Sequence, residues 1–582
     1  IDLYHSGVHY FYPVTDSFPN DSVLKAQLSN YNTLIVSTYY TRSFGNNFDI
    51  PEGVKEFVNA IDFDGDLIFN LFGYPYALNV MGELNNTDAL IVSYTNSDLH
   101  QRYAAQGIFG GSKFEGKLPV SIGEKYALAS GVESTGGSRL KYSTPESVEM
   151  NFDTLLLIND IIDNAIREHA TPGCQLLIAR KGEVVWNKSY GYHTYRKRHA
   201  VDNNDIYDLA SITKIASTIP SLMNLQDQGL FSVDNTLGEY FPELDTSAKA
   251  DLQIKDILTH QSGLKAWIPF YYKTLEPMDT SQALINNNWT HTYPLKLGAG
   301  SYANRNIVYG DSIYDRMYSS NYPTKVADNL YLRSDFYDTI YTSIVKSPLG
   351  EKEYRYSDLG YYYFFRVVED LTDTLFYPYN WYNFYAPLGA ETMGFLPLNR
   401  FEKERIVPTE NDLLFRRQLL QGYVHDPGAA MLGGVSGHAG LFSNANDLAK
   451  MMQMYLYHGN YGGKQYVDSA TLAEFTSCQF PESENRRGLG FDRPMAEEDS
   501  GPACDEASEL SFGHSGFTGT ITWVDPKYDL VYVFLSNRIH PGQYNTKLIS
   551  MNVRTDIQSL IYRSMEDYDR QVAVDSLDIQ TD

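Results

Sequence analysis

Cysteine is scarce: Cys174, Cys478 and Cys504 are the only three in 582 residues, far apart, with no Cys-x-x-Cys pair and no nearby histidines. That spacing excludes the common structural zinc modules. Three thiols are the simple reading, with a Cys478–Cys504 disulfide open to an oxidising compartment. Basic residues are outnumbered, 46 Lys and Arg against 72 Asp and Glu, for a formal charge of −26. Nucleic acid and anionic membrane surfaces need basic patches on their partners and repel such a chain, so no nucleic-acid partner is expected. No apolar run approaches the ~20 residues that cross a bilayer, so no membrane span is expected either. An initiator methionine and a signal sequence are also missing: the chain opens Ile1-Asp2, as an excised or processed piece of something longer would.

What is present is ordinary globular material, 43% hydrophobic and 20% charged. The length exceeds the ~250–300 residues at which single cores stop growing, so at least two domains are expected. Residues 1–130 alternate apolar runs (VHYFYPV from Val8, TLIVSTYY from Thr33, DLIFNLFGY from Asp66, ALIVSYT from Ala89) with the amphipathic stretches DSVLKAQLSNY, PEGVKEFVNAI and SDLHQRYAAQGIF. Strand alternating with helix predicts a parallel sheet covered by helices, an α/β sandwich. Residues 131–150, rich in Ser, Gly and Thr, read as a linker. From Asn151 to about residue 570 a helix leads into GCQLLIAR and EVVWNKSYGY, a long helix is expected from Ser211 to about Gly229, and strands return in TGTITWVD and LVYVFLSN. A sheet fed from both ends with helices between is α+β. SLIYRSMEDYDRQ should pack back on it as a helix, and the acidic end, 571–582, should fray. The Tyr361–Phe365 run reads as core, and the aromatic insertion at 266–346 as either the wall of a cleft or a surface elaboration.

The chemistry rests on Ser-x-x-Lys. Ser22, Ser138, Ser211, Ser262 and Ser343 all match the pattern, so context must choose. Residues three apart on a helix share a face, and a lysine one turn after a serine can reach its hydroxyl. Ser211 alone precedes a long helical stretch, ITKIASTIPSLMNLQDQGL, with IYDLA in front of it. A serine hydroxyl needs a base, and Lys214 can serve if burial or nearby positive charge keeps it neutral. The Ser211 amide at a helix start can help stabilise an oxyanion.

IYDLASITK resembles the first signature of the serine β-lactamases, penicillin-binding peptidases and their esterase relatives, nearest class C β-lactamases. Tyr356-Ser357-Asp358 is similar to the second signature, Tyr-x-Asn, and His514-Ser515-Gly516 to the third, Lys-Thr-Gly or His-x-Gly. The resemblance covers residues 150–565 apart from the insertion. It implies a β-lactamase/transpeptidase-like domain with an antiparallel sheet and an all-helical subdomain. It implies Ser211 as acylated nucleophile, Lys214 as base, Tyr356 as proton shuttle to the leaving group, and the Ser211 and Phe517 amides as oxyanion hole. Asp358, Ser515 and Gly516 would bind substrate, with His514 a pH-dependent anchor for a substrate carboxylate. Asp358 in place of Asn, and His514 in place of Lys, point away from β-lactam turnover. His260 and His438 read as structural; His425 beside Asp426 reads as a turn residue or a substrate contact, since a metal would lack a third ligand.

The end of the first domain, DALIVSYTNSDLHQRYAAQGIFGGSKFEGKLPVSIG, resembles the C-terminal α/β sandwich of glycoside hydrolase family 3, with too few strands for the whole sandwich. That resemblance implies a glycosidase barrel missing from this chain. The expected activity is serine hydrolysis through an acyl-enzyme, without cofactor or metal, on a small molecule or a muropeptide such as N-acetylmuramoyl-L-alanine, in the periplasm of a Gram-negative bacterium or secreted. A DD-carboxypeptidase, an esterase, a weak β-lactamase or a silent penicillin-binding-like sensor are the alternatives, and a glycosidase is disfavoured by the absent barrel.

Overall fold

The computed structural model divides into two units, Ile1–Tyr142 and Ser143–Asp582. The structure describes residues 1–4, 26–39, 48, 50–298, 300–495 and 501–579. In the first unit the alternating runs form β1 (Thr33–Tyr39), α1 (Glu52–Ala60), β2 (Asp66–Phe72), β3 (Ala89–Val92) and α2 (Asp98–Ile108). The three strands are parallel in the order β1-β2-β3, with Val36 opposite Phe69 and Phe69 opposite Leu90. Val58 of α1 packs with Phe69, Leu71, Leu78 and Met81 as a small core, and Ser97 caps α2 by accepting from the His100 amide. The run from Val8 and the opening of DSVLKAQLSNY lie outside the described residues. The stretch read as a linker is divided between the units. Gly137 and Ser138 donate to the Gly111 and Gly110 carbonyls in the first, whereas Pro145, Val148 and Met150 are buried in the second.

The second unit is the expected α+β body. Its central sheet contains β4 (Gly173–Arg180) and β5 (Glu183–Gly191) from the N-terminal side and β6 (Phe512–Ser515), β7 (Ile521–Asp525) and β8 (Leu530–Ser536) from the C-terminal side. The order is β6-β7-β8-β4-β5, each neighbour antiparallel. One face is covered by α3 (Phe152–Arg167), whose Leu155, Ile158 and Ile162 meet Leu176, Trp523 and Phe534 together with Ile557 and Ile561 of the C-terminal helix. Each such side chain contributes about 1.5–3 kcal/mol of burial. The other face carries the wholly buried helix Ala445–Leu456, against β4, β7 and β8. Cover on both faces explains why all seven residues of β8 are buried and apolar in-out alternation is absent. The C-terminal helix runs Val553–Ile579, so the expected frayed end is helical over its described residues, 571–579.

The helix expected from Ser211 is broken in a specific way. Lys214–Thr218 form a π turn, followed by α4 (Ile219–Asp227). Pro220 has no N–H, so the carbonyls four and five residues before it, those of Ala216 and Ile215, lose their helical donor. The Tyr385 hydroxyl donates to the first at 3.0 Å and the Tyr455 hydroxyl to the second at 2.5 Å. A π turn at a functional site is a known use of this geometry; here two buried tyrosines hold it. Tyr385→Phe and Tyr455→Phe are each expected to destabilise the protein by about 1–3 kcal/mol, the cost of an unpaired buried carbonyl; urea denaturation reads the loss.

The Tyr361–Phe365 run is fully buried in the helix Tyr361–Thr372, as core. The insertion at 266–346 folds into short antiparallel pairings, such as Leu275–Pro277 with Ile307–Tyr309, and the helix Phe336–Lys346. All three cysteines are free, with Cys174 and Cys504 buried and Cys478 half-buried. The disulfide left open between Cys478 and Cys504 is not formed, and burial pushes the Cys174 and Cys504 thiols up.

Candidate active site

A buried carboxylate organises the loop before Ser211. Asp208, 1% exposed, accepts from the Ala210 amide at 2.8 Å and from the His425 amide at 2.6 Å. Burial raises its pKa and these donors oppose the rise. Ala210 adopts φ +47°, a left-handed conformation costing a residue with a side chain about 1–2 kcal/mol. The kink turns the chain so that Ser211 opens the helical turn bearing Lys214. Gly516, at the end of β6, passes directly against this loop: a Cβ there would lie 2.4 Å from the Leu209 carbonyl oxygen. The glycine of the third motif is thus required by close approach. Among the described residues, neither the Ser211 nor the Phe517 amide donates a hydrogen bond within the chain, as two oxyanion donors would require.

Lys214 is wholly buried, and its ammonium donates to Ser211 Oγ at 3.2 Å, to Asp358 Oδ1 at 2.6 Å and to the His438 carbonyl at 3.2 Å. Burial alone would lower its pKa, but the Asp358 carboxylate and the Tyr356 hydroxyl more than reverse this, and the net shift is upward. The expectation of a resting neutral lysine is therefore corrected: the structure holds Lys214 charged. Asp358, expected to face a substrate amide, instead anchors Lys214, although its side chain is still 20% exposed.

The Tyr356 ring lies between two cations, with Lys214 Nζ 5.1 Å and Arg487 Cζ 5.5 Å from its centroid. Its hydroxyl is buried against Lys214 and Ser211 without an ideally directed hydrogen bond. Burial raises the phenol pKa, and Lys214 pulls the other way.

His514 Nδ1 lies 2.7 Å from the Ser515 carbonyl and must donate to it, which in a neutral ring leaves Nε2 as a bare acceptor. Burial, Arg487 and Lys214 keep the pKa well below the ordinary value. A neutral imidazole presenting a lone pair cannot anchor a carboxylate, so that expected role is corrected. His260, tilted against Tyr356 with centroids 4.4 Å apart, is held neutral by burial and the same two cations. Both rings titrate near ~6.5 when unfolded, so below that pH the unfolded chain takes up more protons than the folded one. Stability is full above the unfolded value and is lost as the pH falls from there toward the folded values. Unfolding free energy should fall between about pH 7.5 and 5.5, by up to ~1.4 kcal/mol per pH unit for each histidine, and His514→Asn should remove its share of the slope. A flat profile by urea titration would contradict the neutral assignment.

A cavity of about 560 Å³ opens beside Ser211. Tyr356, Asp358, His425, Asp426, His438 and Phe517 line it, together with Trp267, Tyr271 and Tyr272 of the insertion. The insertion is therefore a wall of the cleft. His425 Nε2 meets Glu410 at 2.9 Å while its ring stacks on Phe517 at 5.4 Å. His438 links Asp426 (2.8 Å) to Ser436 (2.9 Å). Although burial acts to raise the Asp426 pKa, His438 and the Ala429 amide hold this carboxyl below its usual range. This chain fixes the loop whose carbonyl receives Lys214. Among the described residues, His193, His199 and Asp205 bring donor atoms within 4.8 Å of one another, but none lines the cavity, and His193 Nε2 is already engaged by Asp205 at 2.7 Å.

Competing Ser-x-x-Lys matches lack this surrounding. Ser138 donates to the Gly110 carbonyl; Ser343 donates to the Thr339 carbonyl, its Lys346 is exposed, and the lysine that reaches it is Lys273, 70 residues away; Ser262 is buried and its Lys265 exposed; Ser22 lies outside the described residues. Asp208 and Arg487 were missed from the sequence. The Arg-Arg pair at 486–487 carries no local sign that one guanidinium is 3% exposed behind the site.

Residues 158–550 match the family described as Beta-lactamase. A Bacillus subtilis (strain 168) protein named N-acetylmuramyl-L-alanine amidase is 28% identical over 425 residues, covering 69% of this chain and 84% of that protein. A Salmonella schwarzengrund (strain CVM19633) protein with the provisional name D-alanyl-D-alanine carboxypeptidase is 30% identical over 443 residues, covering 70% of this chain and 88% of that one. A solved penicillin-binding protein homolog from Caulobacter crescentus aligns at 16% identity with a TM-score of 0.47, over 71% of this chain and 98% of that chain. The family match takes in more than half of the sequence and all three motifs, and this chain belongs to the Beta-lactamase family as a serine hydrolase.

Proposed function

We propose that the enzyme hydrolyses an amide bond in peptidoglycan fragments through an acyl-enzyme on Ser211, the bond being that between N-acetylmuramic acid and L-alanine. The observation that carries the chemistry is Lys214, whose ammonium touches the Ser211 hydroxyl and the Asp358 carboxylate and lies against the buried Tyr356 hydroxyl. As Ser211 Oγ attacks the carbonyl carbon, Lys214 passes a proton to Tyr356 oxygen while Tyr356 gives its own to the leaving nitrogen. Lys214 then takes the serine proton, so the charge of the cluster is unchanged. Asp358 keeps Lys214 in place throughout. The Ser211 and Phe517 amides receive the oxyanion, and His514 Nε2 is an acceptor for the Tyr356 hydroxyl when it turns from the substrate. Water then cleaves the ester by the reverse relay.

The substrate class rests on relatives whose names refer to muramyl-alanine and D-alanyl-D-alanine bonds. We place the reaction in the periplasm of a Gram-negative bacterium or outside the cell, where such fragments occur, with the glycoside hydrolase family 3 resemblance of the first unit pointing to a sugar-trimming partner domain in the full-length protein. Linked domains would work at high local concentration on successive bonds. The purified chain should release free stem peptide from N-acetylmuramoyl peptides, and Ser211→Ala should release none. Release of terminal D-alanine alone would shift the reading to a carboxypeptidase; rapid ester hydrolysis with no amide cleavage would overturn it.

A further inference from the structure

The wall contributed by the insertion is not used by the proton relay, yet it is built. Trp267 is 42% exposed and Tyr544, also in the lining, 52%. Trp267 leans on Tyr271 with centroids 6.4 Å apart, and Tyr271 on Tyr272 at 4.7 Å, so the exposed ring is braced rather than adrift. The lining also supplies acceptors: the Glu410 carboxylate, whose Oε2 is engaged by His425 Nε2 at 2.9 Å but which keeps further lone pairs, the exposed Asn411 and the Ser301 hydroxyl. Its buried cation, Arg416, is engaged by Asp412 and by the Val424 and His425 carbonyls.

Three classes of acyl group can be weighed against this lining. An anionic one would meet Asp358, Glu410 and Asp426, three carboxylates against one engaged guanidinium and a single exposed ammonium, Lys296, which lies 5.6 Å over the Tyr544 ring. A purely apolar one would cover the rings but strip water from Glu410 and Asn411, at about 1–3 kcal/mol for each polar group left unpaired. A pyranose satisfies both kinds of surface: its C–H face packs on an aromatic ring, and its hydroxyl and acetamido N–H groups donate to the acceptors at the edge.

We propose that this wall is a saccharide subsite, in which an N-acetylated pyranose carrying the acyl half of the scissile amide stacks on Trp267 and donates hydrogen bonds to Glu410. The inference rests on the amidase reading for its place in the reaction, but its test separates the two. Two compounds with the same amide, N-acetylmuramoyl-L-alanine and its sugar-free counterpart D-lactoyl-L-alanine, are compared on the wild type and on Trp267→Ala. The wild type should prefer the sugar-bearing compound by ~10²-fold in kcat/KM, and Trp267→Ala should lose at least ~10-fold of that preference, chiefly through KM. Equal losses on both compounds would mark Trp267 as merely structural and overturn the subsite. Binding of both compounds to Ser211→Ala, followed by ligand NMR, needs no turnover. Selective binding of the sugar-bearing compound, weakened by adding Trp267→Ala, would uphold the subsite even if the wild type cleaved neither amide and the amidase reading fell. Cleavage without any preference for the sugar would sink the subsite and leave the amidase reading standing.

Discussion

Ser211→Ala should lower hydrolysis of an activated ester such as p-nitrophenyl acetate by at least ~10³-fold while leaving the fold intact. The magnitude follows from what the site offers in its place. Among the described residues Lys214 donates to no other serine, Ser138 and Ser343 spend their hydroxyls on backbone carbonyls, and Ser262 is followed by the exposed Lys265. The fold should survive because Ser211 Oγ serves as one of three acceptors for Lys214, whose charge stays paired with Asp358 at 2.6 Å. Circular dichroism and the urea midpoint should therefore be close to wild type. Near-normal rates in the variant, or an acyl adduct mapped by mass spectrometry to another serine, would refute the assignment.

The second large effect belongs to Tyr356, where activity and stability should move apart. Its hydroxyl is buried against Lys214 and Ser211 without an ideally directed hydrogen bond, so Tyr356→Phe removes a poorly satisfied polar atom while keeping the ring packed against His260 and beside Lys214 and Arg487. Stability should hold or rise by up to about 1 kcal/mol. If the phenol shuttles protons between Lys214 and the leaving group, kcat should fall by ~10²–10⁴-fold. Amide substrates should suffer more than activated esters, whose leaving groups depart without a proton. Loss of stability with little loss of rate would assign Tyr356 a packing role and remove the relay.

Much of the site was legible because its motifs are local. A serine and lysine one turn apart need only a helix start, and IYDLASITK supplies one. What failed was tertiary. Asp358 lies 144 residues from Lys214 in sequence, and nothing near Tyr356 indicates that its carboxylate would bind the lysine rather than the substrate. His514 read as a titrating anchor because its motif neighbours carry no charge; burial and Arg487, from a loop with no motif, keep it neutral. The π turn was foreshadowed by Pro220, which falls inside the expected helix, but its remedy, two tyrosine hydroxyls from distant helices, was not. In the fold, LVYVFLSN predicted a strand, and its unbroken apolarity meant cover on both faces. The parallel strands of the first unit were readable from β-branched runs spaced by caps.

The scarcity of cysteine has a practical corollary. Cys174 and Cys504 are closed off with their thiols pushed up, whereas Cys478 is half-buried, its Sγ 3.6 Å from the Asn485 carbonyl. That carbonyl lies two residues before Arg487, the guanidinium over Tyr356. A maleimide fluorophore added to the native chain would therefore attach at one position, with no engineered cysteine and none removed, and would report on the segment that holds Arg487 against the Tyr356 ring.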